Sequence, residues 1–113
     1  MLEKFIPTFD DPSYTDQVFN PNKIWYLYVL RLENNLFYIG ITIYPKARIT
    51  DHFQGNGANF TKRNLPLEVV ELYSLNMTDR KLCYKKEIMK TREYRSLYGK
   101  DKVIGGKFFR LGV

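Results

Sequence analysis

Residues 24–40 read IWYLYVLRLENNLFYIG, and this stretch predicts the centre of the fold. Residues 24–30 form a nearly continuous apolar run rich in β-forming side chains, a pattern typical of a central strand buried on both faces. Residues 33–35, Glu-Asn-Asn, favour a turn, and the apolar pattern resumes over residues 36–42. The stretch therefore predicts a β-hairpin. Gly40 lies inside its second strand, where a glycine often indicates that another group approaches the backbone closely.

The segments after the hairpin occur in an order that predicts an α+β fold. Residues 45–53 begin with a proline, which suits the first turn of a helix, and they predict a short helix. Residues 58–66 predict a polar loop, and residues 67–75 predict a third strand. Residues 80–97 predict a long helix, because cap-type side chains precede them and a glycine follows them.

The length of 113 residues predicts one domain. Residues 1–22 carry three prolines and three aspartates without a clear period, so they predict an N-terminal acidic arm. Residues 23–113 then form the domain, with a basic helix and tail at its C-terminal end. Cys83 is the single cysteine, which argues against an internal disulfide or a multi-cysteine metal site. The acidic start does not resemble a signal peptide, and no apolar segment reaches the length of a membrane span. We therefore expect a soluble cytoplasmic protein with no membrane partner.

The net charge of +6 is concentrated in one third of the chain. Residues 80–110 hold eleven Lys and Arg against three acids, a net +8 that leaves −2 for the other residues. Such a segment is the electrostatic footprint expected of a protein that binds a polyanion. A solvated helix surface and a surface for an acidic protein are the alternatives.

Five polar side chains form the candidate site. Tyr28 and Tyr38 lie inside strands, where a phenol can face a core or a reaction site. Arg48 and His52 are four residues apart on the short helix and share one face. Glu87 falls near the middle of the inward arc of the long helix, where a carboxylate is costly unless a cation, a metal or strong donors meet it. A structural ion pair with an arginine of the sheet is one explanation for Glu87, and a Mg²⁺ ligand is the other.

The same residues resemble the GIY-YIG nuclease superfamily, and in particular its small stand-alone URI-type members. Residues 26–28, Tyr-Leu-Tyr, stand where the family has Gly-Ile-Tyr, and Tyr26 replaces the glycine as in URI-type domains. Residues 38–40, Tyr-Ile-Gly, match the second motif without change. Arg48 and His52 stand where the family's arginine and the URI-type histidine are expected.

Three further segments extend the resemblance over residues 23–97. Residues 86–88, Lys-Glu-Ile, resemble the helix with the catalytic glutamate, and residues 58–63, ANFTKR, resemble an A-x-x-T-x-R loop. Residues 66–70 resemble the third strand. The resemblance implies a small three-stranded antiparallel sheet flanked by helices, with the site on one face of the sheet.

The resemblance implies an endonuclease that hydrolyses phosphodiester bonds with one Mg²⁺ or Mn²⁺ ion per site, leaving a 5′ phosphate and a 3′ hydroxyl. Glu87 would hold the metal and Arg48 would stabilise the charged phosphate. Tyr28 would orient or deprotonate the attacking water with help from His52, and Tyr38 would contact the phosphate or position water.

DNA is the expected partner, and we expect the protein to be bacterial or phage-encoded. Five basic side chains are expected to contact the nucleic-acid backbone: Lys62, Arg63, Lys86, Lys90 and Arg92. One site per chain makes nicking the elementary step, so double-strand cutting would use a homo-oligomer or an accessory protein. A noncatalytic nucleic-acid-binding module of the same fold and a basic protein-interaction domain are the alternative functions.

Overall fold

The structure is a computed structural model that describes residues 22–113, so the predicted acidic arm lies outside the described residues except for Asn22. The strands are β1 (Tyr26–Leu32), β2 (Leu36–Thr42), β3 (Pro66–Ser74) and β4 (Val103–Gly105). The helices are α1 (Pro45–Phe53), α2 (Asn59–Arg63) and α3 (Arg80–Tyr98). The strands form one mixed sheet in the order β3-β1-β2-β4, so the fold is α+β as predicted.

The predicted hairpin is confirmed as β1 and β2, which pair antiparallel with Tyr28 opposite Gly40. A short 3₁₀ turn, Glu33–Asn35, joins the two strands. Asn34 and Asn35 in this turn have φ values of 64° and 57°, a backbone region that asparagine tolerates better than most residues. Strand β3 pairs antiparallel with the other edge of β1, which makes β1 a central strand.

The expectation of three antiparallel strands is wrong in one respect, because a fourth strand adds to the sheet in parallel. The tail returns after α3, and Val103–Gly105 pair with residues 37–39 of β2. A parallel pair needs a long crossover, which α3 supplies. The predicted polar loop also contains the short helix α2. Strand β4 has three residues and helix α2 has five, so both are too short to produce a periodic pattern in the sequence.

Helices cover the two faces of the sheet. On one face, Tyr94 of α3 packs in an apolar cluster with Leu27 and Val29 of β1. On the other face, Ile49 of α1 packs in a second cluster with Tyr28 and other side chains of β1. Strand β1 is therefore buried on both faces, as its apolar run predicts. Within the described part of the chain, no helix combines the length and apolarity needed to cross a membrane.

The ends of α3 follow from local chemistry. The Asp79 carboxylate accepts hydrogen bonds from the backbone N–H groups of Lys81 and Leu82, and so acts as the N-cap. Gly99 follows the last turn with a φ of 103°, a conformation that other residues rarely adopt. These ends set the register of the helix and place Glu87 on its buried side.

Candidate active site

A chain of three buried polar side chains links β1, α1 and α2. The Tyr28 hydroxyl lies 2.8 Å from Nε2 of His52, and Nδ1 of His52 lies 2.8 Å from the Thr61 hydroxyl. The Thr61 hydroxyl in turn donates to the Ala58 carbonyl at 2.9 Å. Tyr28 is 1% exposed, while His52 and Thr61 are fully buried. The imidazole is thus held at both nitrogens inside an otherwise apolar cluster.

Two glycines provide the space for these rings. A Cβ atom built on Gly40 would lie 2.4 Å from the Tyr28 hydroxyl oxygen, and one on Gly57 would lie 2.3 Å from Nδ1 of His52. Neither position accepts a side chain unless the ring beside it moves. The sequence predicts that a group approaches the backbone closely at Gly40, and in the structure that group is the Tyr28 phenol.

Tyr38 and Arg48 form the more exposed side of the site. The Tyr38 ring centre lies 5.0 Å from that of His52 and 6.4 Å from that of Tyr28. Tyr38 is only half-buried, so it is the phenol that faces solvent. Arg48 interacts with both phenols. Burial opposes the charge on Arg48, but attraction and hydrogen bonding to Tyr28 and Tyr38 raise the pKa of its guanidinium.

Burial sets the protonation states of the inner groups. It raises the pKa of the Tyr28 phenol well above its ordinary value, and Tyr38 adds to this while Arg48 opposes it. Burial and the neighbouring Arg48 charge lower the pKa of His52 to about 3, so the imidazole is neutral at physiological pH. A neutral imidazole has a free lone pair that can accept a proton from a phenol.

Glu87 reaches the same site from α3. The residue is 9% exposed, and the backbone N–H groups of Gly106 and Ile41 donate hydrogen bonds to its carboxylate. Burial raises the pKa of Glu87 to about 7, against the opposing effects of Gly106, Arg80 and Ile41. The Glu87 charge also acts on both site phenols, where it raises the pKa of each. Strand β4 ends opposite residue 39, so the β2 edge near Ile41 stays open for this carboxylate.

Glu87 lacks the arginine partner that a purely structural role predicts. Among residues 22–113, no cation forms an ion pair with it within 4.0 Å. The charge of Arg80 lowers the pKa of Glu87, but this effect is smaller than the effect of burial, which raises it. The described residues contain no group of three or more His, Cys, Asp or Glu side chains able to hold a metal ion. A metal here would therefore bind one protein carboxylate, an arrangement that Mg²⁺ uses together with water and substrate phosphate.

Four of the basic side chains that sequence analysis assigned to nucleic-acid contact are exposed. Lys62 and Arg63 lie in the last turn of α2, which also carries Thr61. Lys86 precedes Glu87 on α3. Arg92 lies farther along α3, with its guanidinium 5.9 Å from the centre of the Phe108 ring. All four remain predicted contacts.

Lys90 occupies a different environment. Its ammonium lies 2.9 Å from the Glu93 carboxylate and 3.4 Å from that of Glu71, and 5.8 Å from the centre of the Tyr73 ring. The positive charge of Lys90 is therefore paired with two carboxylates of the protein. Of the five predicted contacts, Lys90 is the one least available to a phosphate.

Sequence analysis did not assign Thr61 or Arg80 to the site. Thr61 belongs to the ANFTKR segment, and its place in the resembling A-x-x-T-x-R loop was the available signal. Arg80 precedes Glu87 by seven residues, which is two helical turns, so helical spacing could have placed both on one face. Arg80 is exposed at the start of α3 and is a further candidate for a phosphate contact.

Comparison with known proteins identifies the family. The family model for the GIY-YIG catalytic domain matches residues 24–99. A UPF0213 protein of Xanthomonas campestris is 42% identical over 48 residues, which cover 42% of this chain and 47% of that protein. A UPF0213 protein of Vibrio cholerae is 39% identical over 57 residues, which cover 50% of this chain and 54% of the relative. A UPF0213 protein of Streptococcus agalactiae is 32% identical over 79 residues, which cover 67% of this chain and 88% of the relative.

The chain spans about half the length of the Xanthomonas and Vibrio relatives. No solved structure matches the chain. The family match covers more than half of the chain and includes every side chain of the candidate site: Tyr28, Tyr38, Arg48, His52 and Glu87. On this match, and on the strand, helix and side-chain arrangement described above, the chain belongs to the GIY-YIG family.

Proposed function

We propose that the protein is a metal-dependent endonuclease that hydrolyses phosphodiester bonds, with DNA as its substrate. The observation that carries this proposal is the convergence of five side chains from β1, β2, α1 and α3 on one site: Tyr28, Tyr38, Arg48, His52 and Glu87. The site combines a proton acceptor, a fixed cation and a carboxylate that forms no ion pair within 4.0 Å among residues 22–113. The basic segment of α3 and the tail would attract the polyanionic substrate.

Arg48 would hold the scissile phosphate and control access to Tyr28. In the free protein its guanidinium interacts with the Tyr28 and Tyr38 phenols. A phosphate offers stronger, charge-assisted hydrogen bonds to the same donors. When Arg48 turns toward the phosphate, the Tyr28 oxygen becomes accessible to water. Arg48 would then stabilise the negative charge that develops on the phosphate oxygens.

Tyr28 and His52 would move the proton of the attacking water. The water oxygen attacks phosphorus while its proton passes to the Tyr28 oxygen, and the Tyr28 proton passes to Nε2 of His52, which lies 2.8 Å away. The bond from phosphorus to the 3′ oxygen breaks and releases a 3′ oxyanion, which would take a proton from solvent water, so the products would be a 5′ phosphate and a 3′ hydroxyl. The shared transfer avoids a free phenolate, which the buried position of Tyr28 makes costly. It forms an imidazolium that burial and the Arg48 charge also disfavour, and the turn of Arg48 toward the phosphate would remove part of that cost.

Glu87 would hold the divalent ion. Its carboxylate offers the hard oxygen ligands that Mg²⁺ and Mn²⁺ bind, and a cation would relieve the cost of its burial. When bound, the metal would supply positive charge that neutralises the phosphate and the leaving oxygen. The backbone donors of Gly106 and Ile41 would hold the carboxylate in a fixed orientation.

The apparent affinity for Mg²⁺ should fall as the pH is lowered through about 7. Burial raises the pKa of Glu87 to about 7, so protons compete with the metal for this carboxylate below that pH. We expect a roughly tenfold loss of affinity per pH unit between pH 7 and pH 5, since one proton is displaced per metal. Mg²⁺ titrations at several pH values measure this. A pH-independent affinity over this range would contradict Glu87 as the ligand, because His52 stays neutral throughout.

Cleavage of end-labelled substrates tests the proposed function. The panel would contain duplex, single-stranded and branched DNA together with RNA, each incubated with Mg²⁺, Mn²⁺ or a chelator. We expect metal-dependent nicks in DNA with 5′ phosphate ends. Salt-sensitive binding without cleavage of any substrate would favour a noncatalytic nucleic-acid-binding module of the same fold. Neither binding nor cleavage would favour a basic protein-interaction domain.

A further inference from the structure

We infer that Thr61 is a positioning residue for His52: it fixes the imidazole as the tautomer with its proton on Nδ1, which leaves Nε2 free to accept the Tyr28 proton. The catalytic consequence of this inference rests on the proposed function. The tautomer itself is a property of the free protein and can be measured without any substrate.

The first argument comes from the hydrogen bonds of Thr61. A hydroxyl group has a single hydrogen, and the Thr61 hydroxyl donates it to the Ala58 carbonyl at 2.9 Å. The same oxygen lies 2.8 Å from Nδ1 of His52. With its hydrogen already used, this oxygen can only accept from the imidazole. Nδ1 must therefore carry the proton.

The second argument comes from Tyr28, at the opposite end of the imidazole. The Arg48 guanidinium has only donors, so the Tyr28 oxygen accepts the hydrogen bond that Arg48 makes to it. The phenol's own hydrogen then needs an acceptor, and Nε2 of His52 lies 2.8 Å away. This direction requires an unprotonated Nε2. The two ends of the chain thus select the same tautomer.

Burial makes Thr61 the group on which the tautomer depends. His52 is fully buried, so water does not supply a replacement acceptor for Nδ1 in the folded protein. Gly57 packs against the same nitrogen so closely that a Cβ atom there would lie 2.3 Å from it. Without the Thr61 oxygen, the Nδ1–H group has no acceptor, and the imidazole can satisfy its N–H donor only by moving the proton to Nε2. The proton would then point at the Tyr28 oxygen, and the acceptor for the phenol would be lost.

Nuclear magnetic resonance of the single histidine provides the direct test. Because His52 is the only histidine in the chain, ¹⁵N-labelled imidazole signals need no assignment among residues. We expect the wild-type protein and Thr61→Ser to show the tautomer protonated on Nδ1. Thr61→Val, which removes the hydroxyl but keeps the shape, should shift the population to the tautomer protonated on Nε2.

The activity of the same variants should follow the tautomer. Thr61→Val should lower the cleavage rate about 100-fold, within the range that a general base contributes, while Thr61→Ser should keep it within a few-fold of the wild type. Thr50→Val is the matched control, because Thr50 is a neighbour of His52 on α1 whose hydroxyl donates to the Lys46 carbonyl instead. It should change neither the tautomer nor the rate.

Two outcomes would overturn the inference. One is a wild-type imidazole protonated on Nε2, which requires no variant and so does not depend on how Thr61→Val folds. The other is a folded Thr61→Val protein that keeps the Nδ1 tautomer and the wild-type rate. If the tautomer changes as expected but the wild-type protein cleaves nothing, the positioning role of Thr61 stands and the proposed nuclease function fails.

Discussion

The substitution Glu87→Gln is expected to abolish metal-dependent cleavage and to make the protein more stable above pH 7. Glutamine keeps an oxygen that can accept from Gly106 and Ile41, but it removes the charge that would hold the metal. The loss of several kcal/mol of metal stabilisation corresponds to a rate at least about 1,000-fold lower. Single-turnover cleavage of a labelled DNA in saturating Mg²⁺ measures the rate.

The gain in stability has a definite pH dependence. The pKa of Glu87 is about 7 in the folded protein against an ordinary value of 4.5, so the folded state disfavours the ionised carboxylate. That difference costs about 3 kcal/mol of folding free energy above pH 7, and the cost disappears as the pH falls below 4.5. Glutamine avoids this cost. Denaturant unfolding without metal should therefore show Glu87→Gln to be more stable at pH 8, by on the order of 1 to 3 kcal/mol, with a smaller difference at pH 5.

Glu93→Gln is the matched control for both measurements. Glu93 lies on the same helix, but its side chain is 54% exposed and pairs with Lys90. Exposed ion pairs contribute about 0 to 1 kcal/mol. This variant should cleave at the wild-type rate and show no comparable gain in stability at pH 8. If Glu87→Gln cleaved DNA like Glu93→Gln, Glu87 would not be the metal ligand.

The substitution Tyr28→Phe should lower the cleavage rate by about 100-fold to 10,000-fold, the range for loss of a general acid or base. It removes the hydroxyl that lies 2.8 Å from Nε2 of His52. The ring and its packing remain, so the fold should persist. The buried imidazole nitrogen is left without a partner, which should lower the free energy of unfolding by about 1 to 3 kcal/mol. Single-turnover rates and denaturant unfolding measure the two effects.

Tyr94→Phe separates these two effects. The Tyr94 hydroxyl is also in a hydrogen bond, which it donates to Glu71, and its side chain is also buried. It lies on the opposite face of the sheet, in the cluster with Leu27 and Val29. This variant should lose stability but keep the wild-type cleavage rate. A Tyr28→Phe rate within tenfold of the Tyr94→Phe rate would exclude Tyr28 from the proton transfer.

Elements with strong local signals were predictable from the sequence. The hairpin has two apolar runs and a polar turn, and α3 has an N-cap and a glycine stop, so each is determined by neighbouring residues. The first strand is an instructive exception. It was predicted over residues 24–30 but runs from Tyr26 to Leu32. The apolar run stops before Arg31, whereas the strand continues because Arg31 and Leu32 pair with residues 37 and 36 of β2 and Arg31 bonds across to Glu68 of β3 at 3.1 Å.

The missing elements depend on contacts distant in sequence. Strand β4 is three residues long, and those residues are extended because β2 offers a free edge. Tyr28, His52 and Glu87 were assigned through family resemblance, since each alone is compatible with a structural role. The hydrogen-bonded chain through Thr61 was not predictable from the sequence, because it joins three elements whose sequences show no common pattern.

The pairing of β4 means that the structural unit around the candidate site is longer than the segment that the family model matches. The family match ends at residue 99, yet one of the backbone donors to the Glu87 carboxylate is Gly106. Gly106 also lies so close to Ile88 that a Cβ atom there would be 2.9 Å from its side chain. A chain shortened at residue 99 would keep every residue of the family motifs. It would lose the segment that helps to orient the Glu87 carboxylate.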